Sequence, residues 1–212
     1  MLMRSQRAKT AFILLAATCS LIVRPAMAQI AIDNGVPVTI PVEADMDNNF
    51  AVDVTDIDFG IIGATNAVGE TGELIMAPNG NLDEASGNTD PVARIVSSSG
   101  PGTPGILDIE GALTNTLVYI RYSNVQNLTC SACGGSPPEL IISQITDNAA
   151  DQAGLWSVDD ADPDGDAIPG QITTSGTGTA LINIGATLRT DGSGTPYPSG
   201  TYAGSVNVTL EY

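Results

Sequence analysis

The chain has 212 residues and a formal net charge of −17, from 24 acidic residues against seven basic ones and no histidine. That balance argues against nucleic acid or anionic lipid as a partner, since both would be repelled. Without histidine there is no Ser-His-Asp or Cys-His catalysis, and no Gly-rich phosphate loop appears, so the chain reads as a non-enzyme.

Residues 1–28 read as a cleaved signal peptide. Arg4, Arg7 and Lys9 make a charged start, 11–23 is apolar, and Ala26-Met27-Ala28 is an A-x-A cleavage site. Thr18 before Cys19 stands against lipidation. Cleavage leaves residues 29–212, enough for one domain with a core. Three arginines, Arg94, Arg121 and Arg189, then face all 24 acids, a net charge of −21. No later apolar run reaches membrane-spanning length, so the mature chain is expected to carry no transmembrane segment. The destination is the periplasm, the cell surface or the medium.

Residues 29–44 read as an N-terminal edge or donor strand ahead of a domain at 45–212. In 36–42, Val36, Val38, Ile40 and Val42 face one way, with Pro37 and Pro41 on the other. Two prolines at alternate positions fit an edge strand paired on one side, its open side blunted. Residues 44–50 read as a linker or turn. Further strands are expected at 51–59, 73–77, 92–97, 105–110, 116–122, 139–145, 154–158, 171–174, 179–188 and 201–212, separated by Gly, Pro, Ser, Asn and Asp. In the last, Tyr202, Val206, Val208, Leu210 and Tyr212 share one face with Gly204, and Glu211 and Thr209 lie on the other. A period of two means one buried and one wet face. Many short strands and no long amphipathic helix predict an all-β, antiparallel sandwich.

Cys130 and Cys133 are the only mature cysteines. In an exported chain they are expected to form a disulfide, and the Gly134-Gly135-Ser136-Pro137-Pro138 run that follows forbids the helix a redox thiol would lean on. Asp160, Asp162 and Asp164, followed by Gly165 and Asp166, match the first half of a calcium loop, with oxygens at positions 1, 3 and 5 and glycine at 6. Position 12 is Gln171 rather than a bidentate glutamate, so the alternative to a weak calcium site is a solvated acidic turn. No cofactor is required. Trp156 is the single tryptophan and reads as packing, which leaves a sugar site without aromatic platforms.

Three stretches resemble the bacterial domain-of-unknown-function family numbered 4402. They are Ile57-Asp58-Phe59-Gly60-Ile61, the run from Gly72 to Gly80, and the closing pattern from Ile184 through Gly200-Thr201-Tyr202-Ala203-Gly204 to Val206. The resemblance covers roughly residues 45–212 and implies an exported, pilin-like, immunoglobulin-type sandwich. It says nothing about the Cys130–Cys133 loop or the acidic stretch at 159–166. Two functions are then open. One is a pilin-like or adhesion-related surface subunit that assembles by strand addition, with 29–43 as donor and 201–212 as acceptor. Its partners would be copies of itself or other surface subunits, with a periplasmic chaperone as a further candidate. The other is a self-contained secreted binding module with a calcium-ordered acidic loop.

Overall fold

The computed structural model describes residues 31–32, 39–46, 50–84, 93–98, 100–149 and 170–212. Among these there are strands and turns and no α-helix. In chain order the strands are β1 (Ala31–Ile32), β2 (Thr39–Ile40), β3 (Val42–Met46), β4 (Ala51–Thr55), β5 (Ile57–Asp58), β6 (Ile61–Thr65), β7 (Glu73–Met76), β8 (Leu82–Glu84), β9 (Arg94–Ser97), β10 (Gly105–Glu110), β11 (Leu117–Cys130), β12 (Leu140–Asp147), β13 (Gly170–Thr173), β14 (Ala180–Thr190) and β15 (Tyr202–Glu211).

The strands form a sandwich-like arrangement. One layer runs β13-β11-β15, with β3 and the β2-β5 pair on the far side of β15. The other runs β4-β10-β14-β12, with β7 and β8 alongside β14. Strand β11 joins them: its first half pairs with β13, and near its end Leu128 pairs with Leu140 of β12. A small sheet, β1-β6-β9, is hydrogen-bonded separately, and its Ile62 and Ile95 pack into the same core. Most pairings are antiparallel; β15 with β2, β15 with β3 and β1 with β6 are parallel.

One apolar core fills the space between the layers. Ile120, Tyr122, Val206 and Val208 come from one layer, and Leu107, Ile109, Ile182, Ile184 and Leu188 from the other, all fully buried. Each set sits at alternate positions along its strand, which is why period-two runs in the sequence became half-buried strands. Tyr122 crosses between the layers to donate a 2.6 Å hydrogen bond to Asp147.

Several expectations need correcting. Residues 44–46, read as the start of a turn, continue β3. Their backbone pairs with Val208, Thr209 and Leu210, and this pairing prevails over a polar local sequence. The N-terminal strand is an edge only in part, since Thr39 pairs with Ala203 on one side and Asp58 on the other. The run at 51–59 is two strands. Strand β11 extends eight residues beyond the expected end at 122, through a bulge at Asn124, whose φ is 48°. Asn tolerates the left-handed region better than most residues, so the Ser123-Asn124 pair looks like a turn in sequence yet bends a continuing strand. Strand β6 was not foreseen. Gly60, at φ 68°, turns the chain into it, and its amide donates to Asp58 Oδ1 at 2.8 Å. The strand expected at 154–158 lies outside the described residues, as does the expected signal peptide at 1–28.

Candidate assembly surface at the last strand

Strand β15 has partners on both sides. Tyr119–Ser123 of β11 pair along one edge. On the other, Val42, Glu43, Ala44, Asp45 and Met46 pair with Val206, Asn207, Val208, Thr209 and Leu210. The edge expected to accept a donor strand therefore holds the chain's own N-terminal strand. The expected assembly residues meet there: Tyr202, Val206, Val208, Leu210 and Ile40 are fully buried, and Val42 is buried with them. Tyr212 is partly buried, edge-on to Phe50 at 5.5 Å, and its Oη accepts the Leu113 amide at 2.7 Å. Val36 and Val38 lie outside the described residues.

Pro41 does not blunt the open side. Its carbonyl accepts the Val206 amide at 3.2 Å, and a strand residue turns its N and C=O to the same edge. The missing donor thus faces β15, where it separates β2 from β3. The next residue, Val42, turns its amide to the opposite edge, where it donates to Asp56 Oδ1 at 3.4 Å. Partial burial pushes the Asp56 pKa up, and the Val42 hydrogen bond draws it down. Asp56 was missed as a site residue, although a signal existed: the apolar phase of 51–59 slips there, from Val52 and Val54 to Ile57 and Phe59. A slip of one position marks a bend between two strands.

The entry to β15 is braced. Cys130 and Cys133 form a disulfide with Cα atoms 5.5 Å apart, and Cys130, the last residue of β11, pairs with Tyr202, the first of β15. The sulfurs pack on Gly200, where a Cβ would lie 2.6 and 2.8 Å from them, so no other residue fits without displacement. Tyr202 Oη donates to the Pro198 carbonyl at 3.3 Å, and Tyr197 Oη donates to the Glu139 carbonyl at 3.0 Å while accepting the Asp191 amide. The two rings meet edge-on at 6.1 Å. Burial, with the nearby Asp191 charge adding to it, pushes the Tyr202 pKa up to about 12, so these phenols remain neutral donors.

Asp160, Asp162, Asp164 and Asp166 lie outside the described residues, as does Trp156. Among the described residues no three His, Cys, Asp or Glu side chains gather where they could hold a metal ion, and no helix is long and apolar enough to cross a membrane. No family model, no curated protein and no solved structure matches the chain.

Proposed function

We propose that this chain is an exported surface structural subunit, of the pilin-like or adhesion-related kind with an immunoglobulin-like sandwich, that assembles by passing its N-terminal strand to a neighbouring copy. The observation that carries the reading is the docking of β2 and β3 along β15, with Ile40 and Val42 in the core. A strand held this way completes the sheet through main-chain hydrogen bonds and fills pockets with alternate side chains. Once withdrawn, it leaves a slot whose best-matched filler is the same strand of another copy. Exchange of an identical element is a low-cost route to assembly. The three stretches that resemble family 4402 point to the same reading.

The test removes residues 29–46 and supplies residues 36–46 in trans. The truncated chain should not assemble by itself, and a peptide of residues 36–46 should bind it and raise its melting temperature, as a ligand selective for the folded state does. Assembly that persists in the truncated chain, or a folded truncated chain indifferent to the peptide, overturns the proposal.

The second reading, a self-contained binding module, draws on the same contact, because the strand already completes its own domain. It forecasts a monomer that never exchanges strands and gains thermal stability with millimolar calcium, an effect lost on Asp162→Asn with Asp164→Asn.

A further inference from the structure

The Cys130–Cys133 disulfide closes a ring of four residues, and rings that small remove little entropy from the unfolded chain. Its position is more telling than its contribution to global stability. Both sulfurs sit on Gly200, and Cys133 Sγ lies 3.9 Å from the Ser199 carbonyl oxygen. The adjoining pairs run Cys130 with Tyr202, Thr129 with Ala203, and Ala203 with Thr39 of β2. The disulfide is thus two ladder steps from the N-terminal strand, at the point where β15 begins. We propose that it is a redox-sensitive clamp on the docking of that strand, opened by a dithiol reductant of the exported compartment. The proposal rests on the reading that β2 and β3 pass between copies.

The two sulfurs differ in access. Cys130 is 6% exposed, while Cys133 is half-buried in the turn that follows β11. A thiolate of the reductant attacks Cys133 Sγ, the S–S bond breaks, and Cys130 leaves as a thiolate that takes up a proton. The second thiol of the reductant, losing its proton, attacks the mixed disulfide and departs oxidised, with Cys133 released as a thiolate and then protonated. Two electrons pass from the dithiol to the protein, and both cysteines end as thiols.

The consequence follows from size. Bonded sulfurs stand about 2 Å apart, and unbonded ones need roughly 3.5–4 Å. Gly200 has no side chain to give up, so the added distance must come from the turn at 131–135 or from the backbone at 199–201. Gly134 and Gly135, both at positive φ, let the turn open. Opening it uncovers Gly200 and loosens Tyr202 and Ala203, and Ala203 is the residue that holds Thr39.

The test uses the chain purified after export, in which Cys130 and Cys133 are the only cysteines. Two differently labelled populations are mixed, oxidised or pre-reduced with dithiothreitol, and strand transfer is followed by energy transfer between labels. Amide hydrogen exchange is read on the same samples at 39–40 and 201–203. The clamp calls for transfer roughly tenfold faster after reduction, with lost protection at both segments. Cys130→Ser with Cys133→Ser should match the reduced rate with or without reductant. Transfer at equal rates in both redox states overturns the clamp and leaves strand exchange standing. No transfer in either state overturns the assembly reading instead, and the clamp is then judged on protection alone: unchanged protection at 39–40 and 201–203 overturns it.

Discussion

Asp147 is the one charged side chain fully drawn into the interior among the described residues, at 1% exposure. A carboxylate there must be hydrogen-bonded, because burying it bare costs far more than a fold of this size can spare. Tyr122 Oη donates to one oxygen at 2.6 Å and the Ala149 amide to the other at 2.8 Å. Burial still pushes its pKa up, with those two hydrogen bonds pulling it back. A folded pKa above the unfolded value means that the contribution of Asp147 to stability is full below about pH 3.9 and is lost as pH rises through the folded value. Relative to Asp147→Asn, the wild-type chain should therefore gain stability as pH falls from 7 towards 4; a gap that stays flat across that range removes the shift. Tyr122→Phe should cost about 1–3 kcal/mol at pH 7, where a buried charge loses a donor, and less in acid, where the neutral carboxyl makes a weaker bond. Urea unfolding at the two pH values separates these cases.

Among elements, the N-terminal strand gives the sharpest contrast between burial and exposure. Ile40, in β2, is fully buried, and Ile40→Ala should destabilise the fold by about 2–5 kcal/mol. Leu181, on β14, points outward at 49% exposure in register with Asp108 of β10, which in turn pairs with Asp53 of β4, and Leu181→Ser should stay within about 0.5 kcal/mol. Thermal melts of the two variants decide this, and equal losses would mean that β2 is not part of the cooperative core. The sequence carried much of this arrangement. The unbroken alternation of β15 placed Tyr202, Val206, Val208 and Leu210 correctly, because such a run has one register with its apolar side inward. The paired cysteines and the Gly-Pro run after them placed the brace. Partners and local exceptions were not legible. Nothing at 42–46 says that its neighbour lies more than 160 positions later, since strand pairing is set by tertiary packing. The bulge at Asn124 and the turn at Gly60 each break a period, and a broken period reads as a loop until its hydrogen bonds are known. Gly200 stands in the closing motif of the sequence, but nothing there tells that its role is the space it leaves for two sulfurs.

At the scale of the whole molecule, charge sets the terms on which copies meet. Residues 29–212 carry −21, with three arginines as their only cationic side chains. Arg94 pairs with Glu84 at 2.7 Å and Arg121 with Glu211 at 2.8 Å, and all four side chains are more than a third exposed. Exposed pairs of this kind contribute about 0–1 kcal/mol and weaken in salt. The many unmatched acids repel one another within a copy and between copies, and that repulsion is also screened by salt. The two effects have opposite signs, so salt dependence reveals which is larger. With 24 acids against three arginines, repulsion should prevail. The Debye length shrinks from about 30 Å at 0.01 M to about 8 Å at 0.15 M, so most of the relief should arrive within that range. The melting temperature is expected to rise with sodium chloride over it and then level off, and the rate of strand transfer between copies should rise more steeply, because two copies of −21 must approach one another. A melting temperature that falls with salt would mean that the ion pairs outweigh the net charge. A transfer rate indifferent to salt would mean that the strand leaves its own domain before the copies meet, making withdrawal, which is unimolecular, the slow step.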